Sequence, residues 1–236
     1  LAAEDDHAFI VADAEIDALI VEADKFAARG ATIKARTPSL KHLLSFGPMQ
    51  GAIDVRDGFR SAAAAPLIDE SETDEIVWLA YTGGTTGRSK GVILPHRCMV
   101  ATALAVYSDW DWPADIRYLA ATPISHAAGV NMYPIMMRGG FTRLAQGFEL
   151  EAYCRVIAEE RINTLFLVPT MIYALIDAAA VRSRYDMSSL EMIVYGAAPM
   201  SPDRLREAIG IFGPVFVQLY GQTEAPQCIT SLRKLD

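Results

Sequence analysis

Residues 81–92 read Tyr-Thr-Gly-Gly-Thr-Thr-Gly-Arg-Ser-Lys-Gly-Val, and they follow a short apolar run that predicts a strand buried on both faces at 76–81. Glycines let backbone amides approach a ligand closely, threonine hydroxyls add donors, and a lysine adds a cation. This mixture suits a bound polyphosphate. The candidate binding residues are Thr82, Gly83, Gly84, Thr85, Thr86, Gly87 and Lys90. The alternative is a flexible glycine-rich turn, which three threonines and a lysine behind a strand argue against.

The spacing of this loop excludes two common phosphate-binding motifs. A Walker loop requires Gly-Lys-Ser/Thr after four spacer residues, whereas Lys90 is preceded by Ser89 and followed by Gly91. The glycines of residues 83–87 also lack the spacing of the dinucleotide-binding fingerprint.

Outward from the loop, apolar runs and amphipathic stretches alternate along the chain. Strands are predicted at 76–81, 117–121, 141–144, 164–168, 190–194 and 215–219. Helices are predicted at 96–107, 126–137, 150–160, 169–179 and 201–210, the last with Ser201 as its N-cap. This alternation predicts an α/β fold with mostly parallel sheets flanked by helices. Ligands of such sheets bind at the carboxyl ends of the strands, where the motifs of this chain fall.

The first part of the chain is predicted to be a separate subdomain. A helix at 4–13 and strands at 16–21 and 41–46 precede a connection of alanines, Pro66 and acidic residues at 61–73. We therefore expect a partial N-terminal subdomain with its connection at 1–72 and a ligand-binding core at 73–236. The chain shows no signal peptide, basic leader or initiator methionine, and we expect a fragment cut at both ends.

Composition limits the classes of function. Apolar residues make up 52% of the 236 residues, so the chain can bury a core, yet no run reaches the length of a membrane-spanning helix. The net charge of −8 argues against non-specific nucleic-acid binding. Cys98, Cys154 and Cys228 are far apart and odd in number, which favours buried apolar thiols in a reduced, cytoplasmic setting over a disulfide framework or zinc cluster.

The loop resembles the phosphate loop of the adenylate-forming superfamily, which includes acyl-CoA synthetases, the adenylation domains of peptide synthetases and firefly luciferase. The usual form is Tyr-Thr-Ser-Gly-Thr-Thr-Gly-x-Pro-Lys-Gly-Val. This chain has Gly83 in place of the serine and Ser89 in place of the proline. Since Lys90 and the remaining threonines are kept, we expect these departures to tune the loop rather than to disable it.

Two further motifs follow in the family's order. Residues 195–200, Tyr-Gly-Ala-Ala-Pro-Met, place very small residues after a predicted strand, where a tight strand-to-helix turn is the alternative interpretation. The resemblance implies that this segment lies along adenine and borders the acyl tunnel. It assigns that role to Gly196, Ala197, Ala198 and Pro199.

The second motif, residues 218–224, reads Gln-Leu-Tyr-Gly-Gln-Thr-Glu and resembles the family's Tyr-Gly-x-Thr-Glu segment. The resemblance implies a face for adenine at Tyr220, a donor to the α-phosphate at Thr223 and a Mg²⁺ ligand at Glu224, with Thr82 also near the metal. The nucleotide-binding positions of this motif are Gln218, Tyr220, Gly221, Gln222 and Thr223.

A weaker match is residues 122–129, Thr-Pro-Ile-Ser-His-Ala-Ala-Gly, against the family's Pro-x-x-His-x-x-Gly. The resemblance places His126 near the carboxylate substrate, whereas the alternative is a structural histidine. The apolar stretch 166–175 is either a wall of an acyl tunnel or ordinary core.

The implied reaction joins a carboxylic acid, most simply a fatty acid, to ATP with Mg²⁺, and then passes the acyl group to CoA. Lys90, Thr223, Glu224 and His126 are the expected catalytic residues. The family's ribose-binding aspartate and the C-terminal domain with its catalytic lysine are expected beyond Asp236, so we expect the isolated chain to turn over negligibly.

Two alternatives stay open. An amino-acid adenylation domain usually has an aspartate after the histidine, where this chain has Ala127 and Ala128. A nucleotide-binding module without turnover is the other. The sequence leaves acyl chain length, the thiol acceptor and a homodimer undecided.

Overall fold

The structure is a computed structural model of the chain and describes residues 3–62, 70–83 and 88–234. The chain divides into two compact units, Leu1–Leu94 and Pro95–Asp236. The functional subdivision at residues 72 and 73 remains a prediction, and residues 63–69 of the expected connection lie outside the described residues.

The first unit begins with a small α/β layer. Its elements are α1 (Glu4–Asp13), β1 (Ala18–Glu22), α2 (Ala23–Arg36), β2 (His42–Phe46), β3 (Ile53–Asp54) and α3 (Val55–Ser61). The three strands form a parallel sheet in the order β1-β2-β3. Helix α1 has the predicted bounds, whereas α2 was not predicted. Gly30 of α2 lets this helix pack closely on β1, since a Cβ there would lie 3.1 Å from a methyl group of Val21.

The glycine-threonine loop joins β4 (Ile76–Thr82) to β5 (Lys90–Pro95), and these two strands form a separate two-stranded sheet. The expectation that the run 76–81 is buried on both faces was wrong. Ile76 and Val77 are 57% and 41% exposed, and Ala80 is the buried member of β4. The reason is that β4 pairs with β5 alone within the described residues, so it is not an interior strand of a large sheet.

The second unit is built on a six-stranded sheet in the order β11-β10-β9-β8-β6-β7. Its strands are β6 (Arg117–Ala120), β7 (Phe141–Leu144), β8 (Thr164–Leu167), β9 (Met192–Tyr195), β10 (Phe216–Gln222) and β11 (Ala225–Leu232). All neighbouring strands run parallel except β10 and β11, which form an antiparallel pair with a register shift between Tyr220 and Gln222. The predicted parallel α/β architecture is thus confirmed, with an antiparallel edge added.

The helices of this unit cover the sheet. They are α4 (His96–Asp109), α5 (Ala127–Val130), α6 (Met132–Met137), α7 (Leu150–Glu159), α8 (Pro169–Asp177), α9 (Ala179–Arg182) and α10 (Pro202–Phe212). Within the described part of the chain, no helix is long and apolar enough to cross a membrane.

Two hydrophobic cores divide the buried side chains of the sheet. In β8, Leu165 belongs to one core and its neighbour Phe166 to the other, as the alternation of side chains along a strand requires. Most of the stretch 166–175 is buried in these cores, including Leu167, Ile172 and Leu175 at no more than 2% exposure. This burial favours the core interpretation of that stretch over a tunnel wall.

Two predicted helices are broken. The helix expected at 126–137 divides at Asn131, because Pro134 has no N–H to donate to the carbonyl of Val130 and must sit in the first turn of a new helix. The helix expected at 169–179 ends at Asp177 and is followed by α9. Ser201 holds the predicted N-cap position of α10, but its side chain makes no capping bond.

Candidate active site

In the first unit, predicted site residues lie at the two ends of the glycine-threonine loop. Thr82 ends β4, and its hydroxyl donates a long hydrogen bond of 3.5 Å to the carbonyl of Lys90, the first residue of β5. Gly83 and Lys90 are exposed, and Lys90 forms no side-chain hydrogen bond or ion pair with the residues that the structure describes. Gly84, Thr85, Thr86 and Gly87 lie outside the described residues.

Tyr81 anchors the beginning of the loop. Its hydroxyl donates to a carboxylate oxygen of Asp13 in α1 at 2.6 Å. Its ring lies against Gly91, where a Cβ would be 3.1 Å from the ring carbon Cζ. Burial, and then the neighbouring Asp13 carboxylate, raise the pKa of Tyr81 to about 12, so its hydroxyl stays protonated and able to donate.

In the second unit, the carboxyl ends of β6, β9 and β10 lie at one edge of the sheet, and each is followed by or contains a predicted motif. Gly196 follows β9, and a Cβ there would lie 2.6 Å from the carbonyl oxygen of Leu219 in β10. Only glycine therefore fits at this position without moving the backbone. The same strand, β10, carries Gln218 in register with Tyr195.

The small residues after Gly196 form an exposed ledge. Ala197, Ala198 and Pro199 are all exposed. Ala197 has a φ of 65°, in the left-handed region that costs a residue with a Cβ about 1–2 kcal/mol. Backbone strain of this kind concentrates at functional sites, where surrounding structure enforces it. The open ledge is compatible with a flat ligand lying on the backbone.

The motif at 218–224 runs along β10 and turns into β11, whereas the sequence predicted a strand that ends at residue 219. Tyr220 is 59% exposed, so its ring is available to a ligand. A Cβ on Gly221 would lie 2.6 Å from the carbonyl oxygen of Gln227. Thr223 and Glu224 form the connection between the paired residues Gln222 and Ala225. Glu224 is exposed, and its carboxylate forms no hydrogen bond or ion pair with the described residues.

Side chains that the sequence did not single out support this connection, and two of them, Gln227 and Asn131, are buried. Gln227 of β11 donates from its side-chain Nε2 to Oδ1 of Asn131, between α5 and α6. The hydroxyl of Thr102 in α4 donates to the carbonyl of Pro226 at 3.3 Å. The only sequence signal for Asn131 is a polar residue between apolar neighbours, which by itself does not identify a partner.

His126 is exposed at the N-cap position of α5, and its Nδ1 lies 2.9 Å from the hydroxyl of Ser125. The structure also explains the glycine of this motif. A Cβ at Gly129 would lie 1.8 Å from the carbonyl oxygen of Ile124, a distance that no side chain tolerates. The spacing of residues 123–129 thus describes a tight turn that presents His126 beside the carboxyl end of β6.

Two cavities lie at the ends of β6 and β7, and the smaller one is lined in part by this turn. The smaller, of about 270 Å³, is lined by residues 120–124 and 144–147. The larger, of about 600 Å³, shares residues 144–147 and continues along α7 to Tyr153 and Val156. Ile124 and Leu144, which line the smaller cavity, are about half exposed at 53% and 47%.

The chemistry of the donors fits a Mg²⁺ that arrives with phosphate. Among the described residues, no group of three or more His, Cys, Asp and Glu side chains could hold a metal. Mg²⁺ commonly takes one or two carboxylates and completes its shell with phosphate oxygens and water. The uncommitted carboxylate of Glu224 meets that requirement, and its pairing with Thr82 at one metal remains a prediction.

Fold and motifs together define a nucleotide-binding α/β domain of the adenylate-forming class. The chain belongs to the AMP-binding enzyme family, which matches residues 1–236.

Similarity to individual proteins agrees with this membership. The chain is 40% identical over 238 residues to medium/long-chain-fatty-acid–CoA ligase FadD8 of Mycobacterium tuberculosis, covering 98% of this chain and 42% of that protein. It is 36% identical over 154 residues to a feruloyl-CoA synthase of an Amycolatopsis species, covering 64% of this chain and 31% of that protein.

Among solved structures, the amide bond synthetase McbA from Marinactinospora thermotolerans superposes with a TM-score of 0.87 at 32% identity, covering all of this chain and 46% of that one. The chain therefore spans less than half the length of these relatives.

Proposed function

We propose that the protein containing this chain activates a carboxylic acid with ATP and transfers the acyl group to CoA. The observation that carries this proposal is the grouping, at one edge of a parallel sheet, of the exposed ledge at 197–199 and the β10–β11 connection with Tyr220 and Glu224. The naming of its relatives as fatty-acid and feruloyl CoA ligases supports it.

In the first half-reaction, a carboxylate oxygen attacks the α-phosphorus of ATP, and the bond to the pyrophosphate oxygen breaks. Both reactants are anionic, so charge must be shielded at the α-phosphate. Thr223 donates to the α-phosphate, and Lys90 with Thr82 holds the outer phosphates. Glu224 would hold Mg²⁺, which would supply positive charge to neutralise the phosphates.

In the second half-reaction, the CoA sulfur attacks the acyl carbonyl, and AMP leaves with the electron pair of the broken C–O bond. Gly196, the ledge at 197–199 and the ring of Tyr220 hold adenine through both steps. No nucleophile from the protein is needed, so the residues of this chain bind, orient and shield rather than form a covalent intermediate.

The acid is proposed to be apolar, with a fatty acid as the simplest case. The smaller cavity lies at the turn that bears His126, and its lining is mostly apolar, with exposed side chains of Ile124 and Leu144. The position equivalent to an amino-group anchor carries Ala127 and Ala128, of which Ala128 is fully buried. These observations disfavour an amino acid as the substrate.

The similarity to an amide bond synthetase makes an amine a second candidate acceptor. The acyl-adenylate is common to both candidates, so they differ only in the nucleophile of the second step. The three free thiols, Cys98, Cys154 and Cys228, support a reducing, cytoplasmic compartment as part of the same proposal.

The test uses the full-length protein with ATP, Mg²⁺ and a panel of fatty, aromatic and amino acids. Pyrophosphate release with apolar acids, followed by a thioester with CoA, is expected, whereas an amide formed from added amines would select the second candidate. Lys90→Ala should lower kcat/KM for ATP by about tenfold or more, because it removes a cation from the phosphates.

Lys25→Ala is the matched control, since Lys25 of α2 forms an exposed ion pair with Glu22 at the end of β1, and it should change the rate little. Absence of pyrophosphate release with every acid would refute the synthetase proposal. Size-exclusion chromatography of the same preparation decides whether the protein is a homodimer.

A further inference from the structure

Helix α1 contacts both ends of the glycine-threonine loop. The rings of Phe9 and Tyr81, which lies just before the loop, meet edge to face, with centroids 6.5 Å apart and planes at 90°. Arg88 is the first described residue after position 83. Its guanidinium carbon lies 5.2 Å from the centroid of the same Phe9 ring. One aromatic side chain is thus shared by residues on either side of the loop.

A second residue of α1 reinforces the first end. Asp13 accepts the hydrogen bond from the Tyr81 hydroxyl at 2.6 Å. Because Phe9 and Asp13 are four residues apart in a helix, they project from the same face of α1. Tyr81 is therefore held at its ring by Phe9 and Gly91 and at its hydroxyl by Asp13.

These contacts matter because they lie next to two predicted phosphate-binding residues. Thr82 follows Tyr81 in the chain, and Lys90 precedes Gly91, against which the ring of Tyr81 lies. A group that is already held in place loses less conformational entropy when its ligand binds. Donors displaced by about 1 Å from their productive positions can cost two orders of magnitude in rate.

We propose that Phe9 and Asp13 are positioning residues for the phosphates of ATP, acting through Tyr81 and Arg88 to fix the ends of the loop. This inference rests on the proposed function, since it assumes that the loop binds a nucleotide polyphosphate. Neither residue touches the reacting atoms in this account. Their effect is to hold Thr82, which follows Tyr81, and Lys90, which is two residues after Arg88, where the phosphates bind.

The test measures the Kd of a fluorescent ATP analogue and the KM values for ATP and acid in the full-length protein. Phe9→Ala and Asp13→Ala should each weaken ATP binding and raise KM for ATP by about fivefold or more, with KM for the acid changed less than about twofold. Phe9→Trp, which keeps an aromatic face, and Asp13→Asn, which keeps an acceptor oxygen, should restore ATP affinity toward the wild-type value.

Two residues of the same unit supply matched controls. Phe26 on α2 is half-buried like Phe9 and has the guanidinium of Arg29 over its ring at 5.9 Å. Asp17 forms an ion pair with Lys41 at 2.9 Å. Phe26→Ala and Asp17→Ala remove comparable groups away from Tyr81, so both should leave ATP affinity unchanged.

A double-mutant cycle separates positioning from general destabilisation. Tyr81→Phe removes only the hydroxyl, and it should weaken ATP binding as much as Asp13→Ala does, while the double variant should be no weaker than either single variant. Thermal unfolding confirms that each variant is folded at the assay temperature. Additive effects, or unchanged ATP affinity in folded Phe9→Ala and Asp13→Ala variants, would overturn the inference.

Failure of the proposed function gives a different result. In that case, the wild-type protein binds the ATP analogue but releases no pyrophosphate with any acid, and the Kd comparison among variants still decides the role of α1. A wild-type protein that binds no ATP analogue would overturn both.

Discussion

Gln227 donates a hydrogen bond to Asn131 although the two residues are 96 positions apart, and their side chains are only 5% and 2% exposed. The remaining halves of the two amides, Asn131 Nδ2 and Gln227 Oε1, are buried without a partner among the described residues. The carbonyl of Gln227 also lies against Gly221 of the nucleotide motif. The pair therefore ties the junction of α5 and α6 to the turn that presents Glu224.

Removing one member of this pair should destabilise the protein. Gln227→Ala leaves Asn131 buried and unpaired, and we expect a loss of about 1–3 kcal/mol in the free energy of unfolding. Gln227 has a φ of 70°, so Gln227→Gly loses the same bond but accommodates the backbone and should be less destabilising than Gln227→Ala. Urea unfolding measures both. Gln146→Ala, at an exposed position, is the control and should have little effect; equal stabilities for all three variants would contradict this account.

The ledge contains two adjacent alanines that should respond oppositely to glycine. Ala197 has a φ of 65°, so Ala197→Gly should relieve strain and raise the free energy of unfolding by up to about 1 kcal/mol. Ala198 does not have a positive φ. Ala198→Gly should therefore lower the free energy of unfolding by about 0.4 kcal/mol, because glycine adds conformational entropy to the unfolded chain. Thermal unfolding decides, and the same sign for both substitutions would refute the strain argument.

Replacing Gly129 or Gly210 by alanine should change stability in opposite directions. Gly129→Ala would place a Cβ 1.8 Å from the carbonyl oxygen of Ile124, so we expect a loss of about 2 kcal/mol or more and reduced turnover because the turn bearing His126 must move. Gly210 lies in α10 with nothing near its would-be Cβ. Gly210→Ala should therefore stabilise by roughly 0.5–1 kcal/mol. Circular dichroism melting curves test both, and a tolerated Gly129→Ala would show that the turn is more adaptable than its geometry implies.

The raised pKa of Tyr81 predicts that the free energy of unfolding falls at alkaline pH. Its pKa is raised from 10.0 to about 12 in the folded protein, so its contribution is present below pH 10 and is lost as the pH rises from 10 toward 12. The free energy of unfolding should fall less steeply over that range in Tyr81→Phe than in wild type. Tyr133→Phe, at an exposed position, serves as the control. Parallel pH profiles for wild type and Tyr81→Phe would exclude this effect.

Glu224 predicts a metal-dependent defect. Glu224→Gln removes the charge of the proposed Mg²⁺ ligand, so the Mg²⁺ concentration for half-maximal pyrophosphate release should rise about tenfold, with high Mg²⁺ restoring part of the rate. Glu207→Gln alters a surface ion pair with Arg204 and should leave the Mg²⁺ dependence unchanged. A Glu224→Gln defect that Mg²⁺ does not relieve at any concentration would assign this carboxylate another role.

The sequence predicted the interior of the parallel sheet because strands such as β8 and β9 are short, mostly apolar runs. Strand β8 ends one residue early, and the edge strand β7 has the predicted bounds. It did not predict β5, β11 or α2. Strand β11 mixes polar residues with Pro226, as an edge strand covered on one side does, so it lacks the apolar run that marks an interior strand.

For the site, the sequence located the motifs at strand ends but not their supports. A carbonyl oxygen leaves no room for a Cβ at each of three glycines, Gly129, Gly196 and Gly221. These close contacts form only when the backbone folds, so the sequence does not reveal them. Asn131, Gln227 and Phe9 were missed for the same reason. Each is an ordinary side chain until a partner from another element defines its role.

The two outer strands of the six-stranded sheet have a consequence for solubility. An exposed, regular edge strand is a template for pairing with another chain. Strand β7 is only four residues long and carries Arg143, while β11 contains Pro226 and an irregular register against β10. Both edges are thus poor templates for strand addition. The outer strands of this unit therefore disfavour aggregation by pairing with strands of other chains.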